Sequence, residues 1–233
     1  MKSILFVLLL LTCAAPNAYS VTARSWIVAN AITGNIVDSK NDERVQSIAS
    51  ITKLVTVMVV LDSHQNLDER IKKLTRREVI QVALVRSVNS MADELCDNYI
   101  GGRVACIRAM NQKVRSLGLV KTKFFEPTGL DPRNVSTAKE LVKIVLESQK
   151  YPEIVQAAQT STLNVEGLTF HNTNHDIWKH IFVVSKTGYI HQSGGCIATI
   201  IDTKYGKRVV VVLHSKNTHT RVPEVEYLAN LEK

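Results

Sequence analysis

The sequence predicts an α+β fold in which strands from both ends of the chain share one antiparallel sheet, with helices covering it. Three observations lead there. Two short strand-like segments, 25–29 and 35–39, stand near the N-terminus. Three more, 181–185, 196–202 and 208–214, fill the C-terminal third. Between them lies helix punctuation: capping signatures at Thr75/Glu78 and Thr137/Glu140, and stops at Gly101-Gly102 and Gly118. The economical packing sets the two ends side by side, with a helical lobe between them.

In chain order, the first two strands join through a turn around Thr33-Gly34. Residues 48–61 are rich in Val and Ile, and by propensity alone read as a strand. They are too long for one, so we read a helix. Thr75 and Glu78 open a helix near Arg76 that runs toward Arg86. Helices 91–99 and 104–117 follow, then a turn at Pro127-Thr128-Gly129. Thr137 and Glu140 open another helix, to about Gln149. Tyr205-Gly206 makes the last two strands a hairpin, and a helix over 222–231 ends the chain. There are no repeats, low-complexity tracts or linkers.

The N-terminus bears on the compartment. Lys2, an apolar run over 4–11 and small or polar residues over 14–20 form the pattern of a secretory signal peptide. The run is too short to span a bilayer. The expectation is a signal peptide at 1–20, cleaved after Ser20, and a single domain at 21–233. Lipid attachment at Cys13 fits less well, because Thr12 stands where such signals carry Gly or Ala. No later segment is apolar enough to cross a membrane, and residues 221–233 mix Glu224, Glu226 and Glu232 into any amphipathic face. The expected product is secreted or periplasmic, without a stable membrane anchor.

A formal charge of +8 raises the question of nucleic acid. The basic residues are spread, and the densest cluster, 70–77, has no interleaved aromatics. We read that cluster as a solvated helix face and exclude a nucleic-acid partner. An anionic cell envelope suits such a surface better. Cys96 and Cys106 flank Gly101-Gly102, where two antiparallel helices can bring them together, and an oxidising compartment permits the bridge. At least one thiol stays unpaired, and Cys196 reads as a buried strand residue.

The chemistry rests on three motifs in one order. Ser50-Ile51-Thr52-Lys53 is followed by Ser87-Val88-Asn89 and then by Lys186-Thr187-Gly188. Each alone is weak, but their order carries weight. A serine hydroxyl needs a neighbouring base to become a nucleophile. Residues i and i+3 share a face on a helix but not on a strand, so Ser50 meets Lys53 only if this segment is helical. A lysine is a base only when neutral, which burial and a second cation favour; Lys186 is the candidate cation.

With these motifs the chain resembles the low-molecular-weight penicillin-binding proteins, the serine D-alanyl-D-alanine carboxypeptidases and endopeptidases. Residues 47–54, 125–130, 134–138, 172–175 and 186–189 carry the likeness, which spans the chain after the signal and is nearest the endopeptidase branch. It implies a β-lactamase/transpeptidase-like fold and a hydrolase acting on peptidoglycan peptide stems, with β-lactam antibiotics as covalent inhibitors and no metal or cofactor. It also implies roles. Ser50 would be acylated, Lys53 would be its base, and Ser87 would relay a proton to the leaving amine. Asn89 would hold Lys53 and the substrate amide, and Lys186 and Thr187 the terminal carboxylate. The N–H groups of Ser50 and Tyr189 would form the oxyanion hole, and Gly188 and Tyr189 would join the substrate-binding set. Two departures stand out. Only 37 positions separate Ser50 from Ser87, which suggests a more open cleft, and the chain ends soon after the sheet.

Other readings are weaker. Ser87 and Asn89 are also good caps for the helix near Met91. His171, His175 and His180 suggest a metal, but no H-E-x-x-H pattern accompanies them and the segment reads as loop. Asn134-Val135-Ser136 reads as loop and helix start rather than a glycosylation site. A class A β-lactamase needs a deacylating glutamate in a Glu-x-x-Leu-Asn element, and neither Glu126 nor Glu166 stands in one. A silent wall-binding relative would not need all the motif residues intact.

Overall fold

The computed structural model describes residues 19–179 and 182–232. The proposed signal segment lies almost wholly outside them.

The chain opens with β1 (Ser25–Asn30) and β2 (Ile36–Lys40), then the two-residue β3 (Gln46–Ser47). A 3-10 turn, Ala49–Ile51, runs into α1 (Thr52–Asp62). A small ladder, β4 (Arg70–Ile71) with β5 (Leu74–Thr75), precedes α2 (Arg76–Val85). Next come α3 (Asn89–Asp97), α4 (Gly102–Ser116), β6 (Val135–Ser136) and α5 (Ala138–Ser148). Then follow α6 (Pro152–Gln159) and the hairpin β7 (Thr162–Val165) to β8 (Leu168–His171). The chain closes with β9 (Phe182–Ile190), β10 (Gly194–Thr203), β11 (Gly206–Ser215) and α7 (Arg221–Ala229).

The main sheet has the order β2-β1-β11-β10-β9, every pair antiparallel, so the two chain ends meet at β1–β11. Alternation along β11 divides the core. Val209, Val211 and Leu213 face the larger cluster with α1 and α5, while Val210 and Val212 face α7. Residues 52–60 of α1 are all buried, which resolves the strand-like composition: surrounded by other elements, the segment satisfies its backbone internally as a helix.

Several expectations change. The capping box at Thr75/Glu78 is complete, but at Thr137 only half forms. There the Glu140 carboxylate turns away to accept from the N–H groups of Val120 and Lys121 and from Thr122 Oγ1. The basic cluster at 70–77 is not a solvated helix face. It crosses the β4–β5 ladder, and Arg76 is buried, bonded to Glu69 and to the carbonyls of Asn66 and Asn98. Val135–Ser136 pairs with Gln46–Ser47 instead of forming a loop. Asn134 is fully buried, so it is closed to glycosylation. The sequence reading gave no sign of α6 or of the β7–β8 hairpin, and it ended β9 five residues early. Cys96 and Cys106 form a disulfide between α3 and α4 with Cα atoms 5.3 Å apart, and Cys196 is a buried free thiol on β10.

Candidate active site

Ser50 occupies the 3-10 turn at the head of α1, and both sides of that turn are pinned by glycines. A Cβ on Gly129 would stand 2.0 Å from the Ala49 carbonyl oxygen, and one on Gly188 would stand 2.9 Å from the Ser50 nitrogen. Only hydrogen fits at either place. The nucleophile turn is therefore clamped between the 126–131 loop and β9. Ala49 pays for the turn in backbone strain, with φ at 47°.

One helical turn further on, Lys53 is fully buried, and its Nζ donates to Ser50 Oγ at 2.9 Å. It also donates to Asn89 Oδ1 and to the Thr128 carbonyl, each at 2.7 Å. Burial lowers its pKa to about 7, against the opposing pull of Glu126 and Asp93. Near neutral pH a substantial share of this lysine is already the free amine, beside the hydroxyl it must deprotonate.

Asn89 is the first residue of α3, yet neither it nor Ser87 caps that helix: Val88 is the N-cap, and no side chain bonds there. The capping explanation fails, and the Asn89 amide is free to hold Lys53. Ser87 follows α2 with φ at 60°, and its Oγ accepts from Lys186 Nζ at 2.8 Å. Lys186 also donates to the Thr187 carbonyl at 2.9 Å. Thr187 Oγ1 donates to Thr173 Oγ1 at 2.6 Å, and Tyr189 is half exposed at the edge strand. Every residue singled out from the motifs thus lies on this one cluster or on β9 beside it.

Burial, then the charges of Lys53 and Arg221, hold Lys186 well below the ordinary lysine range. Burial lowers Arg221 as well, to about 10. Arg221 opens α7 and donates to the Gly188 carbonyl at 2.9 Å, while its buried Nε has no partner.

Sequence reasoning missed five residues. Thr128 supplies a backbone carbonyl. The Glu126 carboxylate accepts from the N–H groups of Thr128 and Gly129, from Thr128 Oγ1 and from Asn134 Nδ2. Asn134 Oδ1 in turn accepts from the Phe125 N–H. Thr173 and Arg221 complete the list. The first three and Thr173 lie in stretches that carried the family likeness, which was a usable signal; a lone arginine at a helix start carries none. Glu126 is occupied by these loop donors, and Glu166 sits exposed in the β7–β8 turn. His171 ends β8 rather than lying in a loop, its ring 3.3 Å from Thr162 Oγ1. Among the described residues no group of three or more metal-ligating side chains occurs, and His180 lies outside them.

Comparison with known proteins agrees with this geometry. A family model described as D-alanyl-D-alanine carboxypeptidase, peptidase family S11, matches residues 12–72 and 67–217. The chain is 35% identical to a D-alanyl-D-alanine endopeptidase of Escherichia coli, over 89% of this chain and 77% of that protein. It is likewise 35% identical to one of Pseudomonas aeruginosa, over 88% of this chain and 76% of that one. Among solved structures, penicillin-binding protein D2 of Listeria monocytogenes with bound cefotaxime superposes with a TM-score of 0.82 at 23% identity. That match covers 92% of this chain and 98% of the other. Pinned serine, buried lysine, strand-borne Lys-Thr-Gly and overall likeness converge, and the chain belongs to the D-alanyl-D-alanine carboxypeptidase family of serine peptidases.

Proposed function

We propose that the protein is an exported D,D-endopeptidase that opens D-alanyl cross-links of peptidoglycan through an acyl-enzyme on Ser50. The observation that carries this reading is the Ser50–Lys53–Asn89 contact set beside Lys186 and Ser87. Neutral Lys53 takes the Ser50 proton as Oγ attacks the D-alanyl carbonyl. The tetrahedral oxyanion is held by the N–H groups of Ser50 and Tyr189. The C–N bond then breaks, and the proton passes through Ser87 to the departing amine. Water, deprotonated by the same lysine, releases the acid and restores Ser50. The carboxylate next to the scissile bond is met by Lys186 and Thr187.

Two considerations favour the endopeptidase over the carboxypeptidase. The relatives at 35% identity are named endopeptidases. Carboxypeptidases such as that of Salmonella typhimurium are 26% identical, and the chain spans 63% of that protein. Export is supported by the signal-like N-terminus and by the Cys96–Cys106 disulfide, a bond at home in an oxidising compartment.

A β-lactam presents a strained amide in place of the D-alanyl bond and keeps its leaving group tethered, which obstructs the deacylating water. The test is labelling with penicillin, mass-spectrometric mapping and digestion of purified peptidoglycan. Expected are a long-lived adduct on Ser50, lost in Ser50→Ala, and conversion of dimeric muropeptides to monomers. Release of free D-alanine alone would make the protein a carboxypeptidase. Sustained nitrocefin turnover would make it a β-lactamase.

A further inference from the structure

Beyond Tyr189, at the turn between β9 and β10, a cavity of about 480 Å3 opens whose role the reaction above leaves unassigned. Arg24, His191, His214, Lys216, Thr22 and Tyr189 line most of it, and no acidic residue does. Among the described residues no carboxylate pairs with Arg24, His191 or Lys216. The adjoining Glu224 is buried and turned to the Thr22 N–H and Oγ1. Burial and the positive charges of Arg24 and Arg44 push His214 below its ordinary pKa, a mark of the same positive field.

The walls are stiff. A Cβ on Gly194 would stand 2.8 Å from the Ser215 carbonyl oxygen, and one on Gly195 would stand 2.2 Å from that of Asn217. The β9–β10 turn is therefore pressed onto the segment after β11. The β10–β11 register slips between Gly195 and Ile197, opposite His214, whose φ is 57°. Such a bulge re-aims a side chain, here at the rim of the cavity.

Position supplies the ligand. If Lys186 and Thr187 take the leaving half of the substrate and the Tyr189 N–H takes the acyl carbonyl, the acyl half runs antiparallel to β9 toward His191. At about 3.3 Å per residue, the second or third residue before the scissile bond arrives at the cavity. We propose that this cavity is the subsite for a carboxylate carried by the acyl half of the substrate, held by Arg24 and Lys216. The proposal rests on the D,D-peptidase reading and adds a preference for an acidic acyl-side peptide, with the anion read by charge-assisted hydrogen bonds.

The test uses two synthetic cross-linked peptides, each with a D-alanyl carbonyl joined to the amine of a second peptide, identical except for a Glu or a Gln at the second or third acyl-side position. With wild-type protein, kcat/KM should favour the acidic peptide by roughly ten- to a hundredfold at low salt. In Arg24→Gln/Lys216→Gln the preference should fall to about one, through the KM of the acidic peptide. A wild-type ratio near one, or equal losses on both peptides, would overturn the subsite. Should the double variant not fold, Ser50→Ala protein decides the matter, since it should bind the acidic peptide more tightly than the amide; equal affinities count against the proposal. Failure of the parent reading looks different: neither peptide is cut and penicillin leaves no adduct on Ser50.

Discussion

Gly188 and Ser50 touch backbone to backbone: a methyl group on the glycine would stand 2.9 Å from the serine nitrogen and 3.0 Å from Ala49 Cβ. The contact fixes the distance between the nucleophile and the strand that lays out the substrate. Gly188→Ala should therefore cut the rate of penicillin acylation on the order of a hundredfold or more, because a displacement of about 1 Å costs that much in a positioned reaction. Circular dichroism and melting should show a folded protein. Acylation within threefold of wild type would mean the contact is not required.

Lys53 gives a pH signature. Its lowered pKa makes the neutral amine the minor form well below pH 7 and the major form well above it. Acylation should therefore rise with pH, with a midpoint of about 7. Lys53→Arg should be nearly inactive at every pH, since arginine stays protonated. A flat profile between pH 5 and 9 would remove Lys53 as the base.

Glu126 raises the pKa of Lys53 through its charge while its oxygens tie down the Thr128 loop. Glu126→Gln should move the acylation midpoint below that of wild type, because the charge that favoured the ammonium is gone. The loop loses charge-assisted bonds, so stability should fall by about 1–3 kcal/mol in denaturant titration. A midpoint that moves upward would contradict the charge assignment.

Lys186 should take up a proton when an anion arrives. Alone it is held well below the usual lysine range, and a carboxylate in contact favours its ammonium form. Calorimetry of Ser50→Ala with a D-Ala-D-Ala peptide near pH 8, in buffers of different ionisation enthalpy, should register uptake of a fraction of a proton. Heats independent of the buffer would place the carboxylate elsewhere.

The catalytic serine and both lysines were legible because each lies in a short pattern whose spacing has a mechanical reason. The sheet was legible at its apolar centre and illegible at the end of β9. There Lys186, Thr187 and Gly188 interrupt the apolar run, because the site needs a cation, a hydroxyl and a missing side chain in consecutive positions. Arg221 and Glu126 act through contacts made only in three dimensions, Arg221 on Gly188 and Glu126 on its own loop and Asn134. The β7–β8 hairpin alternates exposed Thr162, Asn164 and Thr169 with half-buried Leu163 and Phe170 and buried Val165, but over only four residues a strand, too short a pattern to stand out from loop.

The covalent tie between α3 and α4 links redox state to readiness. Asn89, which steadies Lys53, begins the helix that Cys96 anchors near its other end. Closing a loop of sequence separation 10 in this way stabilises a fold by about 3 kcal/mol in the chain-entropy view. With the two thiols reduced the chain lacks that tie, and the helix that presents Asn89 is held by packing alone. Oxidation of the two thiols therefore sets how firmly Asn89 is presented to Lys53.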